Sequence, residues 1–389
     1  MTRVGIVANF DAGWLGGISY FHNLLNALYS LPDRKVEAVI FTGFRTRDEY
    51  FDGLPDMTVV RSRLFDRGTL PWLTRKLWMR VFSRDWFLER LLKSHRIAVL
   101  SHSSWLGKGA SIPAIGWIPD FQHIYLPDCF DPAEVRLRDR EFHRICRMCS
   151  AVIVSSYAAQ SDLFQFEPSC RSKTHVLQFV ARPINDEASL PSSRELVDKY
   201  RYSGRYFLLP NQFWKHKNHG VVLEALGLLV REKKHVLVIA TGTSTDYRHA
   251  SYFESLMRRI QELGVEENFR YIGLVPSSDL ARLMSDAVAV INPSHFEGWS
   301  TSVEEARSLG QRVILSDILV HREQNPSHGK YFLPDDAKML ADILWSVWNE
   351  PCPDAKSRMA DASRAIGQRR IEFARRYQDI VLDVARNHS

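Results

Sequence analysis

Two glutamates, a lysine and a run of hydroxyls are the residues of this 389-residue chain with the types and spacing to do chemistry. Glu297 and Glu305 have seven residues between them in SHFEGWSTSVEEARSLG, among them Gly298, Trp299, Ser300, Thr301 and Ser302. Lys217 closes a second polar stretch, NQFWKHK. Before the first stretch runs AVAVIN (287–292), with the length and β-branched content of a buried strand. After it, Val303, Ala306 and Leu309 share one helical face, and Gly310 is a stop signal. Ser300, Thr301 and Ser302 are all good N-caps, and Thr301 with Glu304, or Ser302 with Glu305, predicts a capping box. A strand, a glycine-containing loop and a helix start make an anion site, because free N–H groups and the helix dipole both face the ligand. Lys217 adds a compact positive charge suited to diphosphate oxygens. The plain alternative makes one glutamate a cap and leaves Glu297 as a solvated loop charge.

EGWSTSVEEARSLG resembles the E-x7-E motif of glycosyltransferase family four, retaining enzymes of the GT-B fold, with Trp299 in the aromatic slot and Ser300 in place of the second glycine. The resemblance implies an α/β architecture of two doubly wound Rossmann-like domains facing an interdomain cleft. It implies transfer of a sugar from a nucleotide-sugar to an acceptor, with retention at the anomeric carbon. Glu305 would hold ribose hydroxyls and Glu297 the donor sugar. Lys217 and the turn formed by Ser300, Thr301 and Ser302 would stabilise the departing diphosphate. The family places an arginine five residues before its lysine; Gln212 occupies that slot, leaving Lys215 or His216 to supply the charge. No metal or cofactor is implied, since the nucleotide-sugar is a substrate.

The remaining elements follow in order. RVGIVANF (3–10) reads as a first strand, and Gly16 and Gly17 precede a helix with Ile18, Phe21, Leu24, Leu25 and Leu28 inward. Two glycines at such a turn let backbone approach a ligand closely. By the resemblance they face the donor diphosphate. Strands are predicted at 36–41, 97–105 and 114–130, the last two ending in polar loops that line a ligand crevice in this architecture. Asp120, Gln122 and His123 fall there. Asp120 fits the aspartate of the family's His-Asp pair, while Pro119 takes the histidine slot and His123 is the substitute. Residues 151–163 read as a further strand and helix start with Ser155 and Ser156 as caps, and a strand pattern at 175–183 ends the first half. Residues 186–204 read as a polar linker. Strand and helix patterns then alternate again, which argues for a second doubly wound domain. The predicted boundaries are 1–185, 186–204, 205–365 and a C-terminal helix, 366–389, that crosses back to the first domain.

Hydrophobic content of 45% and charged content of 25% are those of a soluble globular chain. No window approaches the roughly 18 apolar residues of a membrane span. MTRVGIVANF enters a strand at once, without a signal-peptide pattern, so a cytoplasmic location is expected. Cys146 and Cys149 form a CxxC, but without the four ligands a structural zinc needs they are read as core. From 61 to 96 the composition changes. Arg61, Arg63, Arg67, Arg75, Lys76, Arg80, Arg84, Arg90, Lys93 and Arg96 face only Asp66, Asp85 and Glu89, with Trp72, Trp78, Phe82, Trp86 and Phe87 interleaved. Basic, aromatic-rich helices suit an anionic membrane surface, and no nucleic-acid motif accompanies this one. The other reading is a solvated helix face whose tryptophans are core.

A peripheral position on the inner face of the membrane suits an acceptor that is a saccharide or a lipid-linked saccharide, as in bacterial O-antigen or capsule biosynthesis. A nucleotide-sugar 2-epimerase or hydrolase of the same fold would instead act without an acceptor. A non-catalytic membrane- or nucleic-acid-binding protein would not need both glutamates and Lys217.

Overall fold

The computed structural model describes residues 1–8, 15–102, 105–181, 190–351 and 355–388. Two compact units divide it: residues 1–121, 133–180 and 368–389 form the first, and residues 122–132 and 181–367 the second.

In the first unit the described strands are β1 (Thr2–Val7), β2 (Val36–Thr42), β3 (Thr58–Arg61), β4 (Val99–Ser101), β5 (Ala114–Ile118), β6 (Ala151–Val154) and β7 (Thr174–Val176). They form one parallel sheet in the order β3-β2-β1-β4-β5-β6-β7. β3 carries no continuous apolar run, being partly exposed at the sheet edge, and its sequence does not stand out for that reason. Cys146 and Cys149 lie in the apolar core with Ile118, Phe142 and Val152. The first helix spans Leu15–Tyr29, so Gly16 and Gly17 sit in its first turn and do not precede it. The turn itself, at 9–14, lies outside the described residues.

In the second unit the strands are β8 (Phe207–Leu209), β9 (Val238–Ala240), β10 (Phe269–Tyr271), β11 (Val290–Asn292), β12 (Val313–Ser316) and β13 (Gly329–Phe332). All are parallel, in the order β10-β9-β8-β11-β12-β13. Helices cover both faces, which is why the strands read as unbroken apolar runs. Phe207, Leu209, Ile291 and Ile314 point into one cluster, and Leu208, Val290, Val313 and Leu315 into the other. Each such side chain, fully buried, contributes about 1.5–3 kcal/mol.

The stretch read as a linker contains a helix, Ser193–Tyr200, closed by a Ser192–Glu195 capping box, with Leu196 buried against Tyr202 and Tyr206. Two turns of that helix are too short for its periodicity to stand out among polar residues. Its preceding residues, 182–189, lie outside the described part. One long helix, Ala355–Arg386, ends the chain. Its second half belongs to the first unit, where Tyr377 is fully buried and Gln378 Oε1 accepts a 2.6 Å hydrogen bond from the Lys35 backbone N–H. No helix among the described residues is long and apolar enough to cross a membrane.

Candidate active site

A doubly wound sheet binds ligands where its strand order reverses, at the carboxyl ends of the two strands that part company. In the second unit that point lies between β8 and β11. The loop after β8 carries Lys217, and the loop after β11 carries Glu297. The fold therefore brings together two residues eighty positions apart: Lys217 Nζ and Glu297 Oε1 form a 2.7 Å ion pair, with both side chains largely buried.

Asn292, the last residue of β11, organises this point. Its Nδ2 donates to Ser300 Oγ at 2.8 Å, Ser302 Oγ at 3.2 Å and Glu297 Oε1 at 3.3 Å. Its Oδ1 accepts from Ser294 Oγ at 2.7 Å, and from Ser294 N and Asn211 Nδ2 at 3.2 Å. Ser294 Oγ also stands 2.8 Å from Glu297 Oε1. Every hydrogen bond to the Glu297 carboxylate thus falls on Oε1, and Oε2 has no partner among the described residues. A carboxylate anchored through one oxygen presents the other in a fixed direction.

Burial alone would raise the Glu297 pKa, but Lys217, with smaller help from His321 and Ser294, holds it down at about 2. Glu297 is therefore ionised at any working pH and acts as a fixed negative charge, without a proton to give. Glu305 is its opposite. Half-buried on the next helix, its carboxyl has no hydrogen-bond or ionic partner among the described residues, and burial raises its pKa to about 7.

The helix Thr301–Ser308 is capped by Ser300, whose hydroxyl faces the Val303 N–H at 3.5 Å. Position N3 is thus Val303, and neither predicted capping box forms. Glu304 is fully buried instead, bonded to Arg307 at 3.0 Å and Gln324 at 3.2 Å. Ser300 and Ser302 turn inward onto Asn292, so their hydroxyls are already engaged. The backbone N–H groups of Thr301 and Ser302 have no acceptor among the described residues and remain for an anion. Gly298 and Trp299 complete the loop, Trp299 buried. Gly310 stops the helix at φ +62°, where an added Cβ would meet the Arg358 carbonyl oxygen at 2.5 Å.

Beside Lys217, His216 is buried and its pKa falls to about 3. It is neutral at pH 7 and does not replace the missing arginine as a cation, whereas Lys215 is exposed. Gln212 hydrogen-bonds Thr243 and ties the loop after β8 to the loop after β9. Asp246 strengthens that tie, accepting from the Lys215 N–H at 3.1 Å and the Arg248 N–H at 3.0 Å. Gly242 allows the close approach, at φ +147°, with the Asn211 carbonyl oxygen 2.5 Å from where a Cβ would stand.

Gly16, Gly17 and Asp120 belong to the first unit, where Asp120 lies 3.9 Å from Arg138. His123 is buried in the short helix Gln122–Tyr125, within the segment that groups with the second unit. In that segment the Tyr125 ring lies 5.3 Å from that of Phe296, the residue before Glu297, tilted by 35°.

Sequence reading missed Asn292, Ser294 and His321. An asparagine ending an otherwise apolar strand was the available signal for the first. Asn292→Ala should cost about 2–3 kcal/mol in thermal or denaturant unfolding, because it strips buried donors and acceptors of partners. Equal stability would show the network to be replaceable by water.

Residues 201–365 match the family model described as glycosyl transferases group 1. The O-antigen chain mannosyltransferase RfbU of Salmonella typhimurium is 24% identical over 351 residues, covering 87% of this chain and 88% of the relative. Among solved structures, Anabaena HepE in complex with UDP and glucose superposes with TM-score 0.67 at 17% identity, over 98% of both chains. A glycosyltransferase from Rickettsia africae gives the same TM-score at 16% identity and 98% coverage of each. With that match over the unit that holds the Lys217–Glu297 site, the chain is a glycosyltransferase of the GT-B fold.

Proposed function

We propose that the chain is a retaining hexosyltransferase of the E-x7-E type. It would move a sugar from a nucleoside-diphosphate donor to a saccharide or lipid-linked saccharide, in the biosynthesis of a surface polysaccharide at the inner face of the membrane. One observation carries the reading: at the switch point of the second unit an ionised, one-sidedly anchored carboxylate, an unpartnered carboxyl and a lysine occur together. Lys217 and the free N–H groups of Thr301 and Ser302 suit the leaving diphosphate. The Glu305 carboxyl suits a pair of ribose hydroxyls, which are donors it now lacks. Glu297 Oε2 faces a donor sugar and offsets the positive charge that grows at the anomeric carbon.

No protein nucleophile is required if the departing phosphate takes the acceptor's proton, with Asp120 or His123 assisting. The reading assigns no part to a metal or cofactor. The acceptor class is supported by the relative RfbU, an O-antigen chain mannosyltransferase. The base is open to a direct screen. Of UDP, GDP, dTDP and ADP, at least one should raise the melting temperature, since a ligand of the native state alone stabilises it by mass action. At 100 times its Kd the gain is about 2.7 kcal/mol. If none of the four shifts melting at millimolar concentration, the donor assignment fails.

A further inference from the structure

The basic stretch of the first unit contains a helix whose apolar side faces outward. The helix Leu70–Phe82 has Thr69 as N-cap and Pro71 in its first turn, and it ends at Ser83 in a left-handed conformation. None of its thirteen residues is buried. Positions 70, 73, 77 and 81 recur at helical spacing and lie on one face. Leu70 is 73% exposed, Leu77 64% and Val81 63%. Trp78 and Phe82 adjoin that face with ring centroids 4.3 Å apart, and exposed Trp86 stands 6.0 Å from Trp78. These tryptophans are at the surface, so the reading that made them core does not hold. The opposite side is what fastens the helix: Arg75 pairs with buried Asp85 at 2.7 Å and stacks over Phe65.

The charges are sorted in the same direction. All three acidic residues of 61–96 are buried and engaged. Asp66 accepts from the backbone of Phe44 and Arg45, Asp85 from Arg75, and Glu89 from Arg84 and Ser111. Arg63, Arg67, Lys76, Arg80, Arg90 and Arg96 are exposed, with no acidic partner among the described residues. Lys76 and Arg80 flank the apolar stripe on one side. The outer surface of the stretch is therefore leucine, valine and tryptophan bordered by uncompensated positive charge, with no exposed acid. A second copy of the same surface would meet it with like charge, whereas acyl chains beneath anionic headgroups match both features.

We propose that the helix Leu70–Phe82 lies in the interfacial plane of an anionic membrane, with Leu70, Leu73, Leu77 and Val81 among the acyl chains and Lys76 and Arg80 on lipid phosphates. The proposal sharpens the membrane part of the function above to one face of one helix. It does not depend on which donor is used.

Co-sedimentation with phosphatidylcholine vesicles, with and without a quarter of phosphatidylglycerol, tests it. The protein should partition onto the anionic vesicles and far less onto neutral ones. Lys76→Gln with Arg80→Gln should lower that partition about 30-fold at low salt, each basic group near an anionic surface contributing roughly fivefold. Leu73→Asp with Leu77→Asp should reduce it to background, while melting temperature and nucleotide-induced shift stay at wild-type values because these residues are exposed. Equal binding to both vesicle types overturns the proposal, as does unchanged binding by the aspartate variant. So does a dimer in solution that the aspartate variant dissociates, or binding of RNA in place of vesicles. A nucleotide shift without vesicle binding sinks this inference alone; vesicle binding without any nucleotide shift sinks the donor assignment and leaves this standing.

Discussion

Lys217→Ala is expected to melt well below wild type at pH 7, and adding Glu297→Gln to it is expected to restore most of the loss. The pair is largely buried, with Glu297 9% and Lys217 14% exposed. Removing one partner of a buried pair strands the other charge and costs about 3–5 kcal/mol. Ser294 and Asn292 still donate to the stranded carboxylate, which argues for the lower end. A neutral glutamine needs no counter-charge, so the double variant recovers.

The pH dependence separates this account from simple loss of packing. In wild type the Glu297 pKa is depressed, so its stabilisation is full above 4.5 and is lost as pH falls toward about 2. Without Lys217, burial is opposed only by the smaller effects of His321 and of the Ser294 and Asn292 donors, and the folded pKa moves above the unfolded one. The variant should then gain on wild type as pH is lowered from 7 to 4. A deficit that is the same at every pH, or a double variant no more stable than Lys217→Ala, contradicts the ion-pair account. Turnover follows a different order. Lys217→Ala should weaken nucleotide binding, Glu297→Gln should lower kcat with nucleotide affinity nearly unchanged, and the double variant should stay inactive despite its recovered stability.

Apart from β3 at its sheet edge, the strands and their alternation with helices were legible because burial writes a strand as an apolar run. Glu297, Glu305 and Lys217 were legible as loop and helix-start residues next to such runs. Their mutual arrangement was not. A sequence does not say that Asn292 will spend its amide on Ser300, Ser302 and Glu297 together, nor that two of three candidate hydroxyls will turn inward. The capping error has the same origin: Ser300, Thr301 and Ser302 each satisfy the local rule, and the tertiary pull of Asn292 and Gln324 decides among them. The helix Leu70–Phe82 shows the converse. Its composition was plain, but only the structure separates Arg75 and Arg84, held by Asp85 and Glu89, from Lys76 and Arg80, which are free to meet a partner.

Glu305→Gln is expected to stabilise the ligand-free protein above pH 7 and to weaken nucleotide binding over the same range. The wild-type carboxyl is buried enough to raise its pKa from 4.5 to about 7, and burial is the whole cause. An acid with a raised folded pKa contributes its full share of stability below the unfolded value and loses it as pH rises through the folded one. From pH 5 to pH 8 wild type should therefore lose on the order of 2 kcal/mol at this position, allowing for the part of the side chain that water still reaches. Glutamine has no proton to lose, so the two proteins should melt alike at pH 5, and the variant a few degrees higher at pH 8.

Nucleotide reverses the order. Two ribose hydroxyls donating to an ionised carboxylate make charge-assisted bonds, stronger than those to an amide, so the wild type should bind nucleoside diphosphate more tightly as pH rises toward 8. The variant's affinity should be lower and flat with pH. Because such contacts are made equally in ground and transition states, KM for the donor should rise more than kcat falls. If Glu305 were a structural helix residue, glutamine would lower the melting temperature at every pH and leave nucleotide affinity alone. Melting and calorimetry at pH 5, 7 and 8 separate the two outcomes, and the second would move the ribose site away from Glu305.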